Sequence, residues 1–200
     1  MKNRVSVAVT GGIGSGKSLV IDILKKIGYT TFSCDDIYRD LSFNKEYLLK
    51  LKEIFPFAIN DKGELERRRL AEIVFNDEKE LKQLNDLAHP WIFKILKENI
   101  EKEKGIVFSE VPLLFESGAE KDFDYVIIVD RKKSERVSAV CMRDGVQKES
   151  VENRMNNQFD YENNLQVFLE RENFFILENN LGIEDLRTKI EKIINQIKLS

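Results

Sequence analysis

The sequence predicts an α/β fold in which helices flank a parallel sheet. Five short runs rich in β-branched and aromatic residues alternate with longer segments in which apolar residues recur at helical spacing. A glycine-rich segment joins the first strand to the first helix, as in folds that bind phosphate at the end of a parallel strand. Because parallel strands need crossover connections, we expect the helices to lie on the faces of the sheet.

The individual strands and helices follow from short sequence patterns. Buried parallel strands are continuous apolar runs bounded by turn residues, and such runs cover 5–10, 29–33, 106–111, 125–130 and 174–177. The first helix is predicted to begin near Lys17 and to end at Gly28. The last helix, from about Ile183, carries isoleucine and leucine along one face, so we expect it to pack on the sheet.

Two long stretches interrupt the alternation of strand and helix. The second strand stops at Cys34–Asp36, and the chain is predicted to be largely helical from Ile37 to about Ile100. A βαβ crossover needs only one helix, so several helices in a row indicate an inserted subdomain. From 131 to 173 a polar, cation-rich sequence predicts a pair of solvated helices that form a lid. The single domain of 200 residues is thus divided into a core at about 1–36, 105–130 and 174–200, an insert at about 37–104 and a lid at about 131–173.

The glycine-rich segment matches the phosphate-binding loop G-x-x-x-x-G-K-[ST]. Its residues are Gly11, Gly12, Ile13, Gly14, Ser15, Gly16, Lys17 and Ser18. Glycines allow backbone N–H groups to approach phosphate oxygens, and the following helix adds the positive end of its dipole. We expect Lys17 to reach the β- and γ-phosphates and the Ser18 hydroxyl to ligate a nucleotide-bound Mg²⁺. The loop therefore predicts a P-loop nucleoside triphosphate fold that binds a nucleoside triphosphate with Mg²⁺. The reaction stays open at this point, because kinases, GTPases and motor ATPases share this loop.

Composition restricts the possible partners. Charged residues make up 34% of the chain, but the net charge is only −3, which gives no electrostatic reason to expect a nucleic acid or an anionic membrane as partner. We expect a small-molecule substrate and a monomer. Lys2 and Arg4 precede an apolar run too short for a signal peptide, and no run approaches the ~20 apolar residues of a membrane span. The two cysteines, Cys34 and Cys141, lack metal-ligand spacing and favour a reducing cytoplasm.

Several charged residues are candidates for the chemistry. Ligands bind at the carboxyl ends of parallel strands, so we expect Asp35 and Asp36 at the same rim as the phosphate loop, where either can face the γ-phosphate. Glu110, at a strand end, is a candidate for the outer shell of the metal. Arg143 and Arg154 are candidates for closing over the triphosphate, and the lysines of the lid are interpreted as part of a solvated surface.

Other residues have a structural interpretation beside a functional one. His89, the only histidine, precedes Pro90 and is expected to fix a junction between helices rather than to act as a base. Glu116 is expected to begin a helix and to interact with its dipole. Cys34 is interpreted as a small buried residue. Three arginines in the insert form a basic cluster, of which at least one is a candidate for phosphate contact: Arg67, Arg68 and Arg69.

Over nearly its whole length the chain resembles the dephospho-CoA kinases, small P-loop kinases of coenzyme A synthesis. The similar segments are, in order, Thr10 to Ser18; Asp35 with Ile37 and Arg39; Arg67, Arg68 and Leu70; Asn76 and Asp77; Leu84, Asn85, His89 and Pro90; Val111 to Glu116; and Arg143, Asp144, Gly145, Arg154 and Gln158. Each segment is weak alone, but their order is specific. The chain departs from the pattern at Ser33, where the family has the first Asp of D-x-D, and at Leu19, where a threonine is common.

The resemblance implies transfer of the ATP γ-phosphoryl group to the 3′-hydroxyl of the ribose of dephospho-CoA. It assigns Asp35 as the carboxylate that accepts the hydroxyl proton, with Lys17 and Arg143 as further catalytic residues. Residues implied to lie on the acceptor side are Asp35, Arg39, Arg67, Arg68 and His89, and Arg143 and Arg154 are implied to close over ATP. Two alternatives stay open: another small-molecule or nucleotide kinase, and a GTPase switch. The switch needs an N-K-x-D segment, and the nearest string, at Asn44–Tyr47, lacks the aspartate.

Overall fold

The computed structural model describes residues 4–74 and 77–199. Lys2 and Asn76 therefore lie outside the described residues. The strands are β1 (Arg4–Thr10), β2 (Thr30–Ser33), β3 (Gly105–Glu110), β4 (Tyr125–Asp130) and β5 (Phe174–Glu178). The helices are α1 (Lys17–Lys26), α2 (Cys34–Leu41), α3 (Lys45–Ile54), α4 (Arg67–Val74), α5 (Glu78–Glu101), α6 (Lys133–Asp144), α7 (Lys148–Asn156), α8 (Tyr161–Leu169) and α9 (Ile183–Leu199).

The strands form one sheet in the order β2-β3-β1-β4-β5. β1 runs parallel to both β3 and β4, and β4 runs parallel to β5, which confirms the predicted α/β fold. β1 is central, and its residues from Ser6 to Thr10 are buried. The phosphate loop therefore leaves the sheet from its middle, where the neighbouring strands fix the direction of the chain.

The core of the sheet lies between its central strands and two helices. Val20 and Leu24 of α1 and Ile190 of α9 pack in one buried cluster with Val7 and Val9 of β1. This cluster confirms that the last helix packs on the sheet. The buried residues of α9 recur about every three to four positions, which places them all on one face of the helix.

The chain divides into two compact units. One contains the chain up to Phe32 and from Glu103 onward, and the other is Ser33–Lys102. The second unit consists of α2 to α5 and a short 3₁₀ turn, and it has a core of its own around Leu51, Phe55 and Leu96. None of the helices in the described part of the chain is long and apolar enough to cross a membrane.

The predicted helix junction at His89 is wrong. His89 and Pro90 lie inside α5, a continuous helix of 24 residues. Pro90 cannot donate a backbone hydrogen bond to the carbonyl of Asp86, which usually breaks or kinks a helix. Here a buried stripe at a spacing of four residues continues on both sides of the proline: Leu84, Ala88, Ile92, Leu96 and Ile100. Packing of that stripe holds the helix together through the interruption.

Two other predicted boundaries also differ from the structure. α2 begins at Cys34 rather than Ile37, because the Ser33 hydroxyl caps the helix by accepting a hydrogen bond from the Asp36 N–H at 3.4 Å. Ser33, one of the two residues that depart from the family pattern, is thus the N-cap of this helix. The lid contains three helices, α6 to α8, instead of a pair, since Asp160 caps a further helix by accepting from the Asn163 N–H at 3.1 Å.

Candidate active site

The phosphate loop has a backbone that only glycine tolerates at several positions. Gly11, Gly14 and Gly16 have φ angles of 143°, 77° and 98°. A Cβ on Gly11 would also overlap the carbonyl oxygen of Val129, which belongs to the neighbouring strand and cannot move aside. The loop therefore follows the sheet closely, and its glycines are required by both conformation and space.

Side chains hold the loop in shape from several directions. Lys17 Nζ donates to the carbonyl oxygens of Gly11 and Gly12 at 2.8 and 3.2 Å, so the ammonium group lies over the loop. The Asn179 amide donates to the Ser15 carbonyl at 2.8 Å. The sequence did not single out Asn179, but its position directly after β5 is where a parallel sheet places ligand-facing groups.

One donor of the loop is occupied by a side chain of the lid. The Ile13 N–H donates to Gln158 Oε1 over 2.8 Å. Backbone N–H groups of this loop type bind phosphate oxygens. The Gln158 carboxamide oxygen thus accepts a hydrogen bond from an N–H group of the type that binds phosphate oxygens in such loops.

Ser18 and Glu110 form the oxygen pair expected of a magnesium site. The Ser18 hydroxyl donates to Glu110 Oε1 at 2.8 Å, and Glu110 is only 8% exposed at the end of β3. Mg²⁺ prefers oxygen ligands and is usually bound through one or two carboxylates, water and substrate phosphates. The donor set at this position therefore fits Mg²⁺.

Arg136 lies against the phosphate loop, although it belongs to the polar, cation-rich sequence of the lid. It lies on α6 and is 9% exposed, and its Nη1 occupies the space that a Cβ on Gly12 would need. Its Nη2 donates to Glu162 Oε1 at 2.6 Å. Arg136 lies four residues before the buried Val140, on the same face of α6, and this spacing turns it inward. That spacing was the signal available in the sequence.

Arg136 also acts on the carboxylate at the end of β4. Burial raises the pKa of Asp130 above its ordinary value, and the positive charge of Arg136 partly opposes that shift. The carboxyl end of β4 is therefore a partly desolvated environment with a cation close to it. Charges in such an environment interact more strongly than in water.

An aromatic cluster supports the end of β1. The hydroxyls of Thr10 and Tyr161 lie 3.0 Å apart, and burial raises the Tyr161 pKa to about 12. The Phe115 ring packs against Phe159, Tyr161, Phe168 and Phe174. Glu116 does not begin a helix as predicted: it lies in a turn, and its Oε1 accepts from the Phe159 N–H at 2.9 Å. This contact joins the turn after β3 to the lid.

The two candidate arginines of the lid meet at one carboxylate. Arg143 donates to Asp144 from Nε at 2.7 Å and from Nη2 at 3.1 Å, and Arg154 Nη1 donates to Asp144 at 3.2 Å. The hydrogen bonds from Arg143, followed by the charges of both arginines, hold the pKa of Asp144 below its usual range. The side chains of Arg143 and Arg154 are about half exposed or more, at 64% and 48%. They are brought together but remain accessible to an anion.

The candidate acceptor residues lie in the unit Ser33–Lys102. Asp36 forms an ion pair with Arg39, one turn further along α2. Within the described residues, no hydrogen bond or ion pair engages the Asp35 carboxylate. Arg67 Nη2 donates to the Arg39 carbonyl at 3.0 Å. Asp35 and Asp36 are thus distinguished by their contacts, which the sequence alone did not do.

The remaining candidates of this unit have simpler surroundings. Arg68 is exposed on α4, and Arg69 pairs with Glu66 at 3.4 Å on the same surface. The His89 ring packs edge-on against Phe93 with ring centroids 6.0 Å apart. Cys34 is 7% exposed, in agreement with its interpretation as a small buried residue.

Comparisons with known proteins converge on one family. The family model described as dephospho-CoA kinase matches residues 5–185. The dephospho-CoA kinase of Fusobacterium nucleatum is 34% identical over 194 residues, which cover 96% of this chain and 97% of the relative. The crystal structure of TT1252 from Thermus thermophilus is 34% identical with a TM-score of 0.81, covering 98% of this chain and 99% of that one. The dephospho-CoA kinase from Campylobacter jejuni is 32% identical with a TM-score of 0.68 and covers 97% of each chain.

Proposed function

Because this chain belongs to the dephospho-CoA kinase family, we propose that it transfers the γ-phosphoryl group of ATP to the 3′-hydroxyl of the ribose of dephospho-CoA. The products are coenzyme A and ADP, and the reaction is the last step of coenzyme A biosynthesis. The observation that carries this proposal is the phosphate loop Gly11–Ser18, in its strand-to-helix setting, within a family match that extends from residue 5 to residue 185.

The loop and the lid bind and orient ATP. The N–H groups of the loop bind the phosphates, and Lys17 moves from the loop carbonyls to the β- and γ-phosphates. Arg143 and Arg154 exchange Asp144 for the triphosphate, where they stabilise the charge that spreads over the transferring group. The exposure of both arginine side chains supports this exchange.

Asp35 acts as the general base in this proposal. Its carboxylate accepts the proton of the ribose hydroxyl as the hydroxyl oxygen attacks the γ-phosphorus, and the bond to the β–γ bridging oxygen breaks to release ADP. The engagement of Asp36 with Arg39 favours Asp35 for this role, because the Asp36 carboxylate already has an ion-pair partner.

Ser18 and Glu110 are the residues that hold Mg²⁺ in this proposal. The Ser18 hydroxyl is the direct ligand, and Glu110 orients it from the end of β3. Magnesium neutralises charge on the β- and γ-phosphates when it is bound. The protein's part is to keep two oxygen atoms in fixed positions beside the loop.

The helical insert holds the acceptor. Arg39, Arg67 and Arg68 provide positive charge for the pyrophosphate of dephospho-CoA, and His89 contributes to the same side. The near-neutral net charge and the two free thiols support a cytoplasmic protein that needs neither a nucleic acid nor a membrane. We propose a monomer as the working form.

An acceptor panel tests this function. The purified chain is incubated with ATP, Mg²⁺ and either dephospho-CoA, a nucleoside monophosphate or shikimate, and Lys17→Ala serves as the inactive control. We expect phosphorylation of dephospho-CoA alone. Phosphorylation of another acceptor with none on dephospho-CoA would support the second candidate, a different small-molecule kinase on this fold.

A further inference from the structure

A buried guanidinium lies directly against the phosphate loop. Arg136 is 9% exposed, and its Nη1 is so close to the loop that a Cβ on Gly12 would overlap it. Burying a guanidinium beside a loop of aligned N–H groups brings positive charge next to positive dipoles. Such an arrangement is favourable only where negative charge is also present.

The hydrogen-bonding capacity of this guanidinium is not used up. Nη2 donates to Glu162 at 2.6 Å, whereas Nε is buried and has no hydrogen-bond partner among residues 4–74 and 77–199. Arginine presents its donors as a rigid fork that matches phosphate oxygens two at a time. An unsatisfied buried donor of this kind points to an anionic ligand.

The space beside Arg136 is large and polar. A cavity of about 310 Å³ is lined by Arg136 and Lys133 of α6 and by Gln158, Tyr161 and Glu162 of the segment 158–162, which includes the start of α8. Two side-chain oxygens of this segment accept hydrogen bonds from donors that are suited to bind phosphate. Gln158 Oε1 accepts from the Ile13 N–H, and Glu162 Oε1 accepts from Arg136. The same short segment therefore occupies one donor of the loop and one donor of the arginine.

Building on the proposed kinase function, we propose that Arg136 binds a phosphoryl group of the nucleotide's polyphosphate beside Lys17, and that Glu162 is the counter-ion exchanged for it. Glu162 is suited to leave because its side chain is 53% exposed, whereas that of Arg136 is 11% exposed. Departure returns a carboxylate to water, while the arginine stays buried at the loop. Arg136 is thus distinct from Arg143 and Arg154, which are both paired with Asp144 on the exposed side of the lid.

Calorimetric titration of the full chain with pyrophosphate, ATP and adenosine tests this inference. Arg136→Gln should weaken pyrophosphate and ATP binding at least about tenfold, because a charge-assisted hydrogen bond is lost, and leave adenosine binding unchanged. Arg187→Gln is the matched control, since Arg187 also pairs with a glutamate, at 3.2 Å, but on the surface of α9. Wild-type affinity for pyrophosphate in Arg136→Gln would overturn the inference.

Glu162→Gln separates anion binding from a purely structural ion pair. Removing a competing carboxylate should leave pyrophosphate affinity equal or higher, whereas a structural pair predicts a loss as large as that of Arg136→Gln. This variant also decides the matter if Arg136→Gln does not fold. The acceptor panel stays independent of these titrations: loss of pyrophosphate binding in Arg136→Gln supports the inference even if wild-type protein phosphorylates an acceptor other than dephospho-CoA.

Discussion

The Ser18 hydroxyl donates a hydrogen bond of 2.8 Å to the Glu110 carboxylate and so ties the end of the phosphate loop to the end of β3. Glu110→Gln keeps the shape of this contact but removes the charge. We expect the Mg²⁺ concentration for half-maximal activity to rise by about 10- to 100-fold, the usual effect of losing a supporting partner of a metal ligand. Steady-state rates over a Mg²⁺ series measure this.

Glu103→Gln is the control for that prediction. Glu103 accepts from the Thr30 hydroxyl at 3.3 Å and precedes the opposite end of β3. The Mg²⁺ concentration for half-maximal activity of Glu103→Gln should equal that of the wild type. An unchanged Mg²⁺ dependence in Glu110→Gln would instead assign Glu110 a structural role only.

Asp35→Asn should lower kcat by about 10²–10⁴-fold while the ATP dissociation constant stays unchanged, because only proton transfer is lost. Asp36→Asn is the matched comparison one residue away. Asp36 already pairs with Arg39, so its neutralisation should have a much smaller effect on kcat. Rapid-quench measurement of turnover beside ATP titration separates the two effects, and a larger loss in Asp36→Asn would identify Asp36 as the base.

Arg143→Gln and Arg154→Gln should each lower kcat by about 10²–10³-fold, since each removes a donor that stabilises charge in transfer. Arg171→Gln provides a control, because its guanidinium lies 4.7 Å from the Phe174 ring centroid and serves packing. Single-turnover rates at saturating ATP report the effect. If both lid variants turned over at the wild-type rate, closure over ATP by these arginines would be excluded.

Tyr161 gives a prediction for alkaline stability. Its pKa is about 12 in the folded chain, whereas the pKa of a tyrosine in an unfolded chain is about 10, so unfolding between these pH values releases a proton. The contribution of the raised Tyr161 pKa to stability is fully present below about pH 10 and is lost as the pH rises toward about 12. The free energy of unfolding should therefore fall by about 2–3 kcal/mol over this interval. At neutral pH, Tyr161→Phe should lower the free energy of unfolding by about 1 kcal/mol, because the hydrogen bond with Thr10 is lost. The variant should not show the alkaline decline.

Urea unfolding of both proteins at about pH 8 and about pH 11 measures the difference. Other tyrosines titrate in both proteins, so the difference between wild type and Tyr161→Phe isolates this group. A parallel decline in the two proteins would contradict the assignment.

Much of the fold could be predicted from the sequence because its signals are local. Buried strands are short apolar runs, and the glycine-rich loop joins strand to helix wherever it occurs. The errors arose where tertiary contacts outweigh local signals. Pro90 suggested a helix end, but the stripe from Leu84 to Ile100 is buried on both sides of it. The polar sequence of the lid concealed the start of α8 at Tyr161, whose burial depends on the aromatic cluster around Phe115.

The sequence by itself determined the phosphate loop, the parallel sheet and the resemblance to the dephospho-CoA kinases, since each depends on residue types at fixed spacing. Only the tertiary structure decided which charges meet. It separated Asp35 from Asp36 through Arg39, brought Arg143 and Arg154 to Asp144, and turned Arg136 from the lid surface toward Gly12. The approach of Arg136 to Gly12 joins residues far apart in the chain, and the local pairs depend on the direction in which each side chain turns. Electrostatic interactions are set by the resulting distances and by burial, which residue types alone do not give.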